Sequence, residues 1–193
     1  MQFIHRVYLA HYMAKAKTAI FTITDGVSLT NAGGGAANMA TMSIGHMIDA
    51  AESQGLEILD VAFQFQNALT GAGSYSPDLS ASFGADSTVT VQLTDINPGT
   101  ALVGAFDRSI IGSTNLHYGH GDNIVTMASD FQPDSFGIGD GRYVVNDTLY
   151  LVGDPSTTIV ANNDLQVSVR LRARVVSLSK KDWIALALQT GPL

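Results

Sequence analysis

The sequence predicts an all-β protein, an antiparallel two-sheet sandwich or jelly roll of about eight or nine strands with an N-terminal arm and one amphipathic helix. Three observations favour this fold class. Apolar and polar residues alternate with a period of two in several segments beyond Gly55. Segments rich in Gly, Asn, Asp, Ser and Pro separate them, as at residues 97–99 and 162–164. No helical pattern lies between these strands, which favours antiparallel pairing.

The length of the chain favours one domain. Its 193 residues are enough for one substantial core, since a domain commonly has about 100 to 200 residues. Three consecutive glycines, Gly33, Gly34 and Gly35, make regular structure costly at that point. We therefore expect an N-terminal arm and Gly-rich hinge over residues 1–36 and a single β-sandwich domain over residues 37–193.

Two helices are predicted in the first third of the chain. Residues 3–16 contain no Gly or Pro, and their apolar spacing predicts a short helix with Ile4, Val7, Tyr8 and Tyr12 near one face. A second, amphipathic helix is predicted near residues 38–54, because apolar residues recur there at helical spacing before Gly55. These residues are Ala40, Ile44, Met47, Ile48 and Ala51.

The strand pattern begins after Gly55. Leu59, Val61, Phe63 and Phe65 alternate with more polar or smaller residues, as in a strand with one wet face. Residues 88–93 repeat this pattern. Further strands are predicted at residues 17–24, 101–106, 123–128, 143–152, 157–161, 165–178 and 183–189.

The charged residues are few and unevenly distributed. Only 14% of the chain is charged, and the net charge is -7. Residues 18–107 contain nine acids and no Lys or Arg, whereas residues 1–17 contain three cations and no acid. The acidic balance argues against general nucleic-acid binding, which needs clustered cations. A largely neutral surface favours association with other copies of the chain.

Several site types are excluded or disfavoured by composition and motif. The chain has no cysteine, so disulfides, thiolate nucleophiles and cysteine-ligated metals are excluded. No apolar run approaches the roughly 20 residues of a membrane-spanning helix. We find no G-x-S-x-G nucleophile elbow, dinucleotide fingerprint or P-loop. We therefore expect no enzyme activity, no cofactor and no small-molecule substrate.

A row of arginines marks the strand predicted at residues 165–178. Strand alternation places Arg170, Arg172 and Arg174 on one face and apolar residues on the other. Three alternatives stay open for the partner of this row. The first is acids on neighbouring strands, the second is acids from residues 18–107 of another copy at a subunit interface, and the third is nucleic-acid or lipid phosphate.

Two loops offer weak metal candidates. His117, His120 and Asp122 lie within one Gly-rich loop and have side chains that bind Zn²⁺, but they lack the helical spacing of zinc peptidases. An exposed polar turn is the alternative interpretation. Residues 130–140 contain oxygen ligands suited to Ca²⁺ but not the order of an EF-hand.

The whole pattern resembles the small single-jelly-roll capsid proteins of viruses. The resemblance lies in the arm, the hinge at Gly33 to Gly35, about eight strands, the absence of cysteine and the Arg-bearing strand at residues 165–178. It implies a structural virion protein that self-assembles into an icosahedral capsid shell. It also implies a location in the virion, and partners that are copies of itself and other capsid proteins.

One departure from such proteins concerns the arm. Many have a strongly basic arm, whereas residues 1–17 contain only three cations. The resemblance therefore leaves open whether the arm contacts a lipid membrane, the genome or a neighbouring subunit. Shells built over a lipid layer fit the acidic composition better.

A different class of function also fits an all-β chain. In a carbohydrate-binding or adhesive β-sandwich, aromatic side chains on loops stack on sugars. The candidates are Tyr75, Tyr118 and Tyr143.

Overall fold

A computed structural model describes residues 14–30, 37–69, 74–131 and 141–189. Most of these residues lie in antiparallel strands, because period-two sequences present one apolar face for burial. The strands are β1 (Lys15–Ala16), β2 (Phe21–Leu29), β3 (Asn38–Ser43), β4 (Gln54–Leu69), β5 (Tyr75–Ser76), β6 (Ser87–Thr94), β7 (Ile110–Gly119), β8 (Ile124–Phe131), β9 (Arg142–Val144), β10 (Thr148–Pro155) and β11 (Asn163–Ser177). A 3-10 helix (Gly45–Met47) and one α-helix, α1 (Lys180–Gln189), complete the described elements.

The strands form two sheets with jelly-roll topology. In the first sheet β11 pairs with β1 and β2 on one side and with β4 on the other, and β4 also pairs with β5 and β9. The second sheet has the order β3-β10-β6-β7-β8. Strands from the two ends of this series pair with each other, and the pairing continues inward along the sequence. The pairs are β2 with β11, β3 with β10, β4 with β9 and β6 with β7. A long hairpin rolled into two sheets has this pairing, so the predicted fold class is confirmed.

The core lies between the two sheets. From β6 it receives Val89, Val91 and Leu93, which are fully buried. Phe83, from the segment between β5 and β6, is buried in the same core and stacks on Tyr118 with ring centroids 5.1 Å apart. The alternation that the sequence shows in these strands therefore corresponds to burial between the layers.

A β-bulge in β4 changes which residues face the core. Arg172 of β11 pairs with Asp60, but the next residue pairs with Ile58, so Leu59 is left without a partner in the register. Leu56 and Ile58 are buried before the bulge, and Val61 is buried after it, although their positions differ in parity. The extra residue keeps both apolar sets on the core face.

The amphipathic helix predicted near residues 38–54 is wrong. This segment contains β3, the 3-10 helix and a turn before β4. The backbone of β3 pairs with β10, for example Thr41 with Tyr150, and the side chains of Met42 and Ile44 are buried. The helical spacing of apolar residues was compatible with a strand, and pairing in the sheet decided between the two.

The strand predicted at residues 183–189 is also wrong, because these residues belong to α1. Ser179 precedes the helix, and its hydroxyl accepts a hydrogen bond from the Asp182 backbone N–H at 3.1 Å and donates one to the Asp182 carboxylate at 2.7 Å. Ser179 is therefore the N-cap of α1, and the S-x-x-D spacing is a sequence signal for a helix start.

Other strand predictions are corrected in part. Residues 101–106 form a loop, and residues 157–161 contribute a single bridge between Phe83 and Ile159. The strand predicted at residues 143–152 is divided into β9 and β10. β7 was not predicted, and in it Ser113 and Thr114 are buried along with apolar neighbours. Buried hydroxyl residues obscured the period-two pattern there.

Part of the predicted arm lies in the sandwich. β2 pairs with β11 along all nine of its residues, and β1 pairs with the end of β11. The helix predicted over residues 3–16 is wrong at its end, because Lys15 and Ala16 form β1. Residues 3–13 of that prediction and the glycines of the hinge lie outside the described residues.

α1 packs on the outer face of the first sheet. Val175 faces the main core, whereas Val176 faces the opposite side and is buried in a second, smaller cluster. The members of this cluster are Ala14, Tyr143, Val145, Val176, Leu178, Trp183, Leu186 and Ala187. α1 therefore covers one end of a sheet face that the rest of the sandwich leaves open.

Candidate functional site

The arginine row lies on the outer face of the first sheet, as strand alternation predicts. Leu171 and Ala173 of β11 are fully buried in the core, whereas Arg170 and Arg172 are exposed. Arg174 is closer to α1, and its side chain is 35% exposed. The three guanidinium groups therefore do not share one environment.

Arg174 is bound within its own chain. Its Nε lies 2.6 Å from Oε2 of Glu57, and its Nη2 donates to Oε1 at 3.2 Å. The Glu57 side chain is fully buried. The two residues are register partners on β11 and β4, and the bulge at Leu59 produces this register. A two-point contact between a guanidinium and a carboxylate is among the strongest side-chain hydrogen bonds.

Arg170 and Arg172 are available to a partner. In the described part of the chain neither guanidinium has a hydrogen bond or an ion pair. Arg172 lies between Thr22 and Asp60 in the register, with the carboxylate beyond ion-pair distance. Arg forks suit carboxylate or phosphate oxygens, so this part of the face is able to bind anions.

A shallow groove adjoins Arg170. It has a volume of about 460 Å³ and runs across β2, β11 and β4. Its lining residues are Thr24, Asp25, Ala62, Phe63, Gln64, Ser168, Val169 and Arg170. The Asp25 carboxylate accepts a hydrogen bond from the Gly26 backbone N–H at 2.8 Å. The groove thus combines hydroxyl, amide, carboxylate and guanidinium groups with the apolar Ala62, Phe63 and Val169.

The strand β8 forms an edge of the second sheet with apolar side chains in solvent. Ile124 is 58% exposed, Val125 48% and Met127 52%. Val125 is in register with the buried Tyr118, and Met127 with the buried Leu116. The apolar inner face of the second sheet therefore continues onto β8, where it is not covered by the described part of the first sheet.

The histidine loop does not converge on a metal site. His117 faces outward from β7, and its Nδ1 lies 3.0 Å from the Thr88 hydroxyl. His120 follows the strand, and its backbone N–H donates to Asp86 at 2.8 Å. Within the described ranges no group of three or more His, Cys, Asp or Glu side chains is close enough to hold a metal ion. The geometry therefore does not assemble the predicted set of His117, His120 and Asp122. The second metal candidate, residues 130–140, lies almost entirely outside the described residues.

The three tyrosines proposed for sugar stacking lie in different environments. Tyr118 is 3% exposed, and its hydroxyl donates to Asn123 at 2.8 Å. It is therefore a core residue and is not accessible to a ligand. Tyr75 is 60% exposed on β5, and Tyr143 is half-buried on β9 beneath α1.

A second buried ion pair was not predicted. Arg142 on β9 lies 3.2 Å from Asp95 at the end of β6, and its Nη2 also donates to the Arg108 carbonyl at 2.5 Å. The Asn146 side chain donates to the Asp95 carbonyl. Burial raises the pKa of Asp95 above its usual 3.8, although the Arg142 charge opposes this shift. Oδ1 of Asp95 and Nε of Arg142 are buried without hydrogen-bond partners.

This ion pair joins the two sheets, since β9 belongs to the first and β6 to the second. The two residues are 47 positions apart, and no local pattern marks either of them. A cleft of about 640 Å³ lies beside Asp95 and is also lined by Trp183. The Thr148 hydroxyl in this cleft donates to Asp147 at 3.0 Å, whereas Oδ1 of Asp95 has no partner.

Comparison with known proteins gives only distant likenesses. No family model and no curated protein matches the chain. A solved structure titled Desmodium yellow mottle tymovirus is similar over 83% of this chain and 88% of that chain, with 9% identity and a TM-score of 0.38. VP1 of Trichodysplasia spinulosa-associated polyomavirus is similar over 83% of this chain and 98% of that chain, with 9% identity and a TM-score of 0.41.

A third likeness is to the structure of Turnip Yellow Mosaic Virus, over 83% of this chain and 96% of that chain, with 10% identity and a TM-score of 0.35. All three structures come from viruses. At these identities and TM-scores they do not place the chain in a family. No helix in the described part of the chain has the length and apolar character needed to cross a membrane.

Proposed function

We propose that the protein is a structural virion protein whose copies assemble into a closed icosahedral capsid shell. The observation that carries this proposal is the exposed apolar edge strand β8 of a jelly-roll sandwich. The fold alone would not suffice, because jelly rolls also serve as lectins and enzymes. Two surfaces that favour association between copies, the edge strand β8 and the pair Arg170 and Arg172, therefore support the proposal.

Most of the edge strand lacks the features that normally prevent pairing. Natural edge strands are protected by lysines, prolines, bulges or short length. Residues 124–129 of β8 have the sequence Ile-Val-Thr-Met-Ala-Ser, with no charge and no proline. Three of these side chains are about half exposed or more. The charge of β8, Asp130, stands near its end, where a bulge shifts the register with β7. Such an edge in water tends to pair with a strand of another molecule. In a closed assembly this pairing is limited to defined subunit contacts, whereas in an open one it leads to aggregation.

A second copy of the chain suits this edge. Residues 124–129 carry no charge, so two copies that meet along them experience no repulsion between like charges. With only 14% charged residues in the whole chain, less charge must be desolvated at a contact than on an ordinary soluble domain. Val125 and Met127 also extend the buried inner layer, so covering them completes the core.

Arg170 and Arg172 form a second contact surface in this proposal. They are the exposed end of the arginine row, and they match carboxylates of a neighbouring copy. Residues 18–107 supply nine acids and no cation, and Asp49, Glu52 and Asp78 among them are exposed. Complementary charges fix the orientation of two subunits more than they raise affinity.

The test is the native mass of the protein across concentration and ionic strength, by light scattering with negative-stain imaging of the same sample. We expect the wild type to form closed particles, rings or sheets of repeated subunits. Met127→Lys places a charge on the edge and should leave a folded monomer. Thr41→Lys on β3, the opposite edge of the same sheet, is the matched control and should assemble.

Two results would contradict the proposal. One is a wild-type monomer under all conditions, including after addition of the other capsid proteins expected as partners. The other is equal assembly of Met127→Lys and the wild type, which would remove β8 from the interface. The circular dichroism spectra of both variants check that the fold is intact.

The carbohydrate-binding alternative is supported by one residue only. Tyr75 is the exposed member of the proposed set, and aromatic faces stack on sugars. Binding on a glycan array that Tyr75→Ala abolishes would favour this function over a shell. Absence of binding to every sugar would argue against it.

A further inference from the structure

We propose that residues 1–13 of the chain pack against the outer side of α1 in the same molecule. The proposal goes beyond shell formation and does not depend on it. It concerns an apolar ridge on α1 and the segment that emerges beside it.

The solvent-facing side of α1 carries two exposed apolar side chains beyond the lysines of its first turn. Trp183, Leu186 and Ala187 face the sheet and join the small cluster over Val176. Ile184 and Leu188 lie one turn apart on the other side, 54% and 78% exposed. Residues four apart form a continuous ridge on a helix. The described residues leave this ridge uncovered.

The N-terminal segment begins next to this ridge. β1 pairs with the last residues of β11, Lys15 with Ser177 and Ala16 with Val176, immediately before α1 starts. Ala14 packs in the same small cluster as the inner side of α1. The chain before Ala14 therefore starts at the helix and needs no linker to reach it. α1 has ten residues and is about 15 Å long, a distance that a segment of 13 residues is able to span.

The composition of the segment fits an apolar ridge. Residues 1–13 have no Gly, no Pro and no acid, and they include Phe3, Ile4, Val7 and Leu9. The exposed surface of α1 also carries Lys180 and Lys181, so the apolar side chains of the segment, and not the charge of Arg6, favour this contact.

Tethering favours the same molecule over a neighbour. A segment joined directly to its binding surface has an effective concentration in the millimolar range. A neighbouring subunit must compete with that concentration for the same ridge. The intramolecular contact is thus the default unless shell geometry supplies further contacts.

The absence of cysteine allows a clean cross-linking test on the full chain. Val7→Cys and Leu188→Cys introduce the only two thiols, and a short bismaleimide joins them if they are close. Equal amounts of ¹⁴N-labelled and ¹⁵N-labelled protein are mixed, under dissociating and then assembling conditions, before cross-linking. Mass spectrometry of the tryptic peptides then separates cross-links within one chain from those between chains. The matched control carries Val7→Cys together with Thr126→Cys on β8, and keeps Leu188.

The expected result is a cross-link between residues 7 and 188 within one chain, well above the yield with residue 126. A predominance of mixed-isotope peptides would mean that a neighbour's helix holds the segment, and would overturn the proposal. A yield no higher than that of the control would overturn it as well, including the case in which the segment lies on β8, membrane or genome. The emission of Trp183, the single tryptophan, checks that both variants fold.

Hydrogen exchange gives an independent measurement. Deleting residues 1–13 should expose the ridge and speed amide exchange in α1 by roughly tenfold, because two large apolar side chains lose their cover. Exchange in the central part of β11 should not change. Equal exchange of α1 in the deleted and full-length proteins would contradict the contact.

Discussion

Arg174 and Glu57 form a two-point ion pair across neighbouring strands although they are 117 positions apart in the chain. The carboxylate is fully buried, whereas the guanidinium side chain is 35% exposed. The pair exists because the bulge at Leu59 shifts the register of β4 by one residue. One of the three arginines in the row therefore stabilises the sheet, and two are left for a partner.

Removing Arg174 should cost more stability than removing the charge of Glu57. Arg174→Met leaves a buried carboxylate without a partner, and we expect a loss of about 3 kcal/mol in the free energy of unfolding. Glu57→Gln leaves a guanidinium that water still reaches, so the loss should be smaller. Urea unfolding measures both. The double variant should recover part of the loss of Arg174→Met, and a strictly additive loss would argue that the pair does not act as a unit.

The bulge itself makes a sharp prediction. Deleting Leu59 closes the ladder between β4 and β11, and the buried residues on either side of the bulge keep their face, because Ile58 and Val61 then stand two positions apart. We therefore expect this variant to fold with only a small shift in the midpoint of thermal unfolding. Deleting Ala62 instead makes Val61 and Phe63 neighbours, so one of them must leave the core, and we expect a severe loss of thermal stability. Equal effects of the two deletions would contradict the role of the bulge.

The stability of the protein should depend on pH through Asp95. Because burial raises its pKa above 3.8, the folded protein binds this proton more tightly than the unfolded chain does. The contribution of Asp95 is thus fully present below pH 3.8 and is lost as the pH rises through the raised folded pKa. Asp95→Asn removes this titration. Urea unfolding of both proteins should show the wild type gaining stability relative to the variant as the pH falls through this window, and a constant difference would contradict it.

Reversing the charge of Arg172 should block assembly without unfolding the subunit. Arg172→Glu puts a carboxylate where the proposal needs a cation facing acids of a neighbour, and like charges there cost several kcal/mol. Lys181→Glu changes the net charge equally at an exposed position on α1 and is the control. Light scattering should report monomers for Arg172→Glu and wild-type particles for Lys181→Glu. Normal assembly of Arg172→Glu would remove the row from the interface.

The sequence was informative wherever structure follows from neighbours along the chain. Alternation in residues 165–178 places Val169 and Leu171 inside and the arginines outside, and the structure confirms this. The same reasoning failed at residues 38–54, because short apolar patterns fit both periods and only pairing with β10 decided between them. The capping signal Ser179 to Asp182 marks the start of α1, although the apolar run after it also fits a short strand.

The candidate site was predictable as a row but not in its parts. No local pattern indicates that Glu57 neutralises Arg174, since the contact depends on a bulge and on two strands far apart in sequence. Likewise, the loop with His117 and His120 looked convergent because the residues are close in sequence. In the structure the His117 imidazole meets the Thr88 hydroxyl, whereas the His120 ring lies 6.2 Å from the ring of Tyr118.

By itself the sequence determined the fold class, the side of β11 on which each arginine lies, and the low charge that favours association. These properties depend on residue type and on the period of the strand. Only the tertiary structure decided which strands pair, which arginines stay free, and that Val125 and Met127 of β8 are exposed. These depend on register and on the extent of the opposite sheet, which arise from contacts between residues distant in the chain.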